Sequence, residues 1–329
     1  MDRRTRVANQ GLGAKRATSV VAAVRRVVGV QAQDTRAARL AVRARTEGLI
    51  ASDVDDAVRR GEVVRTWAMR GTLHMLAAAD VRWIVGLLGP RFAAANRGRR
   101  HRLGLDDDTL ARGVAQLSDV LADEVPRTRA ELMAAISLEL TGQAIPHLLG
   151  YAAQTGLLVR GPDAAKDEPT YVLASQWLPP GSALDESEAV ARLAERYLAG
   201  YGPASVEDFA AWSGLPLGLA RAGFGAVSES TVDAKPPLRL LGHFDAYLLG
   251  YRDRRAMLAP ELDHRIRAGG GMIMPAVLVD GRVAGTWALD RKAWRVRTES
   301  FGGALPVRGL RAEVEDLRRF LGVDVELAD

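Results

Sequence analysis

Apolar positions recur at helical spacing in three successive stretches of the chain, and each stretch leads into short runs of strand character. In the first, Val20, Val21, Val24, Val27 and Val28 fall on one helical face. A second helix is expected from Thr35 to about Thr46, with Asp34 as its N-cap, where a carboxylate meets free backbone N–H groups. A short helix over 53–60 follows. Two β-prone runs, 63–69 and 72–76, then flank Arg70 and Gly71 and predict a hairpin. Three helices and a hairpin describe a winged helix-turn-helix.

The plan returns twice. Helices are expected over 108–122, 128–140 and 145–155, the middle one opened by a capping-box pattern from Thr128 to Glu131. Strand runs at 157–160 and 171–173 enclose a polar loop. A third set spans 186–199, 205–213 and 216–226, followed by a strand run at 238–241. Runs at 275–279 and 282–287 surround Asp280-Gly281, a strong hairpin signal. An amphipathic helix over 310–321 closes the chain, and the Pro/Gly-rich stretch 179–182 is the best linker candidate. The expected fold is mainly α with small β-hairpins (α+β): tandem winged helix-turn-helix motifs. The segments are 1–104, 105–180, 181–242 and a C-terminal region 243–329.

Composition narrows the function classes. The 329 residues are 48% hydrophobic, which supports a packed core, and carry a formal charge of +5. The sequence pI of about 9.8 suits a polyanionic partner. Cysteine is absent, which removes disulfides, thiolate nucleophiles and cysteine-ligated metal. No signal segment or bilayer-length apolar run is visible, so a cytoplasmic protein without cofactor or metal is expected.

Gln31 and Gln33 sit between two helices. Two apart in an extended segment, they point the same way and can present two amides to one small volume. Read alone, they fit a solvated or capping loop better than a catalytic pair. Arg36, Arg39 and Arg43 follow at helical spacing as a basic stripe, either a solvated face or a phosphate-contacting one. A second basic cluster runs through Arg97, Arg99, Arg100, His101 and Arg102. Trp67 suits base stacking or a core, and His74 and His243 lack metal-ligand spacing.

Four stretches change this picture together: VQAQD (30–34), RTWAMRGTLH (65–74), FDAYLLGYRDR (244–254) and GRVAGTW (281–287). In order and spacing they resemble the AlkZ-type winged-helix DNA glycosylases, over most of the chain from about residue 20. The resemblance implies three winged-helix motifs in a C-shaped body gripping duplex DNA, and cleavage of the N-glycosidic bond of alkylated purines. Gln31 and Gln33 match the Gln-x-Gln branch of that family, which is associated with self-resistance to DNA-alkylating natural products. They are the candidate catalytic residues. Arg36, Arg39, Arg43, Arg65, Arg70, Arg252, Arg254 and Arg282 are the candidate DNA contacts. Asp34, Trp67, His74, Asp245 and Tyr251 are supporting candidates. The expected partner is double-stranded DNA carrying alkylated guanine, bound by a monomer. The competing reading is a non-catalytic winged-helix regulator.

Overall fold

The computed structural model describes residues 2–181, 184–225, 232 and 234–328. The end of the 179–182 linker candidate, and that of the helix expected to reach 226, lie outside the described residues. The chain packs as two compact units that do not follow chain order: residues 1–54 with 191–329, and residues 55–190. Both mix helices and strands, and no described helix is long and apolar enough to cross a membrane.

In the first unit a five-stranded sheet orders Glu326–Leu327, Arg295–Ser300, Arg282–Asp290, Ala276–Val279 and Arg239–Leu241 side by side. The pairings are antiparallel except that of the last short strand, Glu326–Leu327, with Arg295–Ser300. The expected hairpin turns at Asp280 and Gly281, both at positive φ (49° and 74°). Two left-handed residues give the turn the twist of its flanking strands. The Val307–Leu321 helix lays Leu310, Val314 and Leu317 on this sheet against Leu240, Val277 and Trp287. The Thr35–Arg45 helix also packs there through Leu40, so close to Gly242 that a Cβ there would lie 3.1 Å from Leu40.

In the second unit, strands Val63–Trp67 and Leu73–Ala77 form the expected hairpin, with Thr66 opposite His74. Strand Val63–Trp67 also pairs with Leu158–Arg160, which pairs with Thr170–Leu173, and that in turn with Arg127–Thr128. Helices Ala78–Ala95 and Ala144–Gln154 cover the sheet. They meet backbone to backbone: a Cβ on Gly89 would sit 2.0 Å from the carbonyl oxygen of Gln154.

One expected helix is cut short. The helix opened by the Thr128 capping box ends at Ala135, because Ile136 turns extended and Ser137 N donates to Gln116 Oε1. The strand Arg295–Ser300 and the helices Arg3–Asn9 and Ala78–Ala95 are additions to the sequence-based plan.

Candidate active site

The site starts from the N-terminus of the Thr35–Arg45 helix. Asp34 caps it as expected: its Oδ1 accepts from Arg36 N (2.8 Å) and Ala37 N (3.0 Å). The chain before the cap is extended, with Ala32 fully buried between an almost buried Gln31 and an exposed Gln33. The alternation brings the two amides together, and Gln31 Nε2 donates to Gln33 Oε1 at 2.7 Å. A buried anchor and an exposed partner make a polar pair that is fixed yet reachable. The Asp34 carboxylate also offsets the positive end of the helix dipole.

Behind this point the helix is fixed by two buried ionic groups. Arg43 is fully buried; it donates to Glu313 Oε2 (2.9 Å), Asp316 Oδ2 (2.7 Å) and the Leu240 carbonyl (2.7 Å). Arg239 binds the other oxygen of Glu313 at 2.8 Å. Burial alone pushes the Asp316 carboxyl up, but Arg43, Arg319 and Arg16 around it more than reverse this and hold it below the usual range. The second group is Arg45, which forks onto both oxygens of Asp245 (2.8 and 2.7 Å) and reaches Gln10 Oε1 (3.1 Å). Gln10 Nε2 donates to Tyr251 Oη, which donates to the Tyr201 carbonyl. The Arg6 guanidinium lies 3.9 Å from the centre of the Tyr251 ring.

These contacts correct several expectations. Arg43 is not part of an exposed stripe: Arg36 is exposed and Arg39 half-buried, but one further turn carries Arg43 into the interior. Arg65 is equally buried, pairs with Asp163 (2.6 Å) and donates to the Gly161 carbonyl, so it offers nothing to a phosphate. Asp245 and Tyr251, expected as supporting residues, are buried and brace the Thr35–Arg45 helix. Trp67 packs against the core around Leu148 and Leu149 and is not a free stacking face. Arg254 is half-buried and donates to the Leu248 carbonyl; burial, then nearby Arg267, lowers its pKa. Arg252 and Arg282 are exposed, and Arg70 is half-buried at a left-handed turn (φ 56°).

His74 is buried, and its Nδ1 lies 3.0 Å from the Thr72 carbonyl. Burial, reinforced by the charge of Arg70, pulls its pKa down to about 3, so the ring is neutral. Nδ1 therefore carries the proton it donates. Glu313 and Asp316, which sequence reasoning overlooked, had a legible signal: Glu313 interrupts the apolar face formed by Leu310, Val314 and Leu317.

A family model described as "DNA glycosylase AlkZ-like" matches residues 24–320. The chain is 28% identical over 338 residues to the "Interstrand DNA cross-link repair glycosylase" of Streptomyces sahachiroi, covering 91% of this chain and 90% of that protein. The solved structure of Streptomyces sahachiroi DNA glycosylase AlkZ superposes with a TM-score of 0.83 at 26% identity, over 99% of this chain and 97% of that one.

Proposed function

Because the chain belongs to the AlkZ-like DNA glycosylase family, we propose that Gln31 and Gln33 hold the water that hydrolyses the N-glycosidic bond of N7-alkylguanine in duplex DNA. The reading rests on the 2.7 Å amide–amide hydrogen bond beside the Asp34 cap. N7 alkylation makes guanine cationic, so the base leaves without being protonated and no acid is needed. What remains is to aim a water at the anomeric carbon and favour the sugar cation that forms. Amide dipoles can do both, and one amide polarised by the other is the stronger partner. Glutamine does not take up a proton at neutral pH, so it positions the water rather than acting as a base. Asp34 acts as cap and local counter-charge.

The name of the relative, an interstrand DNA cross-link repair glycosylase, supports cross-linked DNA as a substrate; bulky N7 adducts, and a setting of self-resistance to a DNA-alkylating compound, are our extension of that reading. The protein would work as a monomer on the nucleoid. Family membership removes the regulator reading.

Gln31→Ala or Gln33→Ala should slow excision by about tenfold or more while leaving DNA affinity nearly intact, since positioning is their role. Single-turnover excision from DNA carrying a bulky N7 adduct, beside a binding titration, separates the two effects. Full activity in both variants ends the assignment.

DNA contact falls in this reading to the exposed arginines, Arg36, Arg252 and Arg282, with half-buried Arg39, Arg70 and Arg254 at their margin. The turn at Asp280 holds Arg282 beside a fixed base, because Arg3 and Arg4 both bind Asp280. Arg252→Ala and Arg282→Ala should each lower the slope of log affinity against log salt by about 0.9. An unchanged slope would remove that residue from the interface.

Excision should also survive excess chelator. The chain has no cysteine, and no cluster of three metal-ligating side chains exists among the described residues. Loss on chelation, with recovery on one divalent ion, would show the opposite.

A further inference from the structure

Within the 55–190 unit lies a cavity of about 280 Å³. Val81, Val85 and Leu158 give it apolar walls, which Gln154 and Thr66 interrupt. Gln154 lines it and is only 6% exposed, and its side-chain amide has no hydrogen-bond partner among the described residues. Thr66 also lines it, fully buried, and its hydroxyl is likewise unpartnered. Gly86 and Pro90, both exposed, line the cavity's open side.

Buried polar groups are normally satisfied, and each one left alone costs about 1–3 kcal/mol. Thr66 is such a group, and the nearly buried Gln154 stands beside it on the same cavity, which marks a place where a partner is missing. The walls are also rigid, since helices Ala78–Ala95 and Ala144–Gln154 touch backbone to backbone at Gly89. A preformed cavity spares a ligand the cost of ordering it. Its volume lies near the lower end of small-ligand sites, about 300–1,000 Å³, and fits one or two fused rings. The Gln154 amide offers an N–H and a C=O side by side, which a cyclic lactam edge meets with two hydrogen bonds.

We propose that this cavity binds a small planar heteroaromatic molecule with a lactam edge, held by Gln154 between apolar walls. The site is separate from the chemistry assigned to Gln31 and Gln33 and does not depend on it.

The test uses the whole protein and 2-quinolinone, a two-ring lactam, titrated calorimetrically, with N-methyl-2-quinolinone as the analogue lacking the N–H. Saturable one-to-one binding is expected, weakened by about tenfold or more in Gln154→Leu and for the N-methyl analogue. Gly86→Leu should abolish it by filling the space. A Cβ at Gly86 meets nothing within 4 Å, and leucine favours the helix more than glycine, so this variant keeps the fold. Absence of saturation, binding that survives Gly86→Leu, or equal binding of the two quinolinones would each overturn the proposal.

Discussion

Asp245→Asn should lower the stability of the protein by about 3–5 kcal/mol, read as a fall in the urea midpoint at unchanged slope. Asp245 and Arg45 are both fully inaccessible and joined by two short, parallel hydrogen bonds. Burial pulls the Arg45 pKa down, but Asp245 more than offsets it, so the net displacement is upward and Arg45 stays charged. Asparagine keeps the shape and the side-chain oxygen that caps the Ala246–Leu249 helix through Tyr247 N. The substitution removes the charge and turns the oxygen that accepts from Arg45 Nη1 into an NH2 donor facing it, leaving the Arg45 guanidinium buried without its counter-ion. The double variant Arg45→Met/Asp245→Leu should recover much of the loss, because apolar replacement removes both desolvation penalties at once. A single variant within about 0.5 kcal/mol of the parent would mean that the pair does not hold the helix. Because the same helix carries the Gln31–Gln33 pair at its start, Asp245→Asn should slow excision even where the protein is still folded.

Acidification should destabilise the protein from about pH 6.5 downward, and His74 should account for much of the slope. The folded state holds His74 at about 3, against an ordinary value of 6.5. Between these values the unfolded chain binds a proton that the folded protein refuses. Stability is then complete above about pH 6.5 and is lost as the pH falls toward 3. The limiting slope is about 1.4 kcal/mol per pH unit, which sums to several kcal/mol across the window. His147, half-buried and displaced in the same direction, adds a smaller contribution of the same sign. Asp316, held low by its arginines, contributes only at lower pH, once carboxyl groups begin to protonate. Melting temperatures at pH 7, 6, 5 and 4.5 for the parent and His74→Asn isolate the effect. The variant should start lower and fall less steeply. Parallel curves would mean that His74 takes up its proton equally in the folded and unfolded states.

Much of the local organisation was legible in the sequence, because it depends on near neighbours. The extended spacing of Gln31 and Gln33, the Asp34 cap and the left-handed turn at Asp280-Gly281 are set by residues one to three positions apart, and the structure has them where the pattern put them. The four stretches that carry the family resemblance were legible as well. The helix Ala78–Ala95 was not. It buries Val81, Trp83, Ile84, Val85, Leu87 and Leu88, so it is apolar around most of its circumference and has no polar face to reveal a helical period. What tertiary structure alone decided was the direction in which each charge faces. Arg36, Arg39 and Arg43 share a helical spacing, yet Arg43 meets Glu313 and Asp316 some 270 positions away, while Arg36 meets solvent. Arg45 and Asp245 are separated by 200 positions. No periodicity reports a partner so distant, because an arginine facing water and one facing a buried carboxylate occupy the same place in a local pattern. Only the fold's removal of water from around a charge separates a residue that holds the helix from one that can reach DNA.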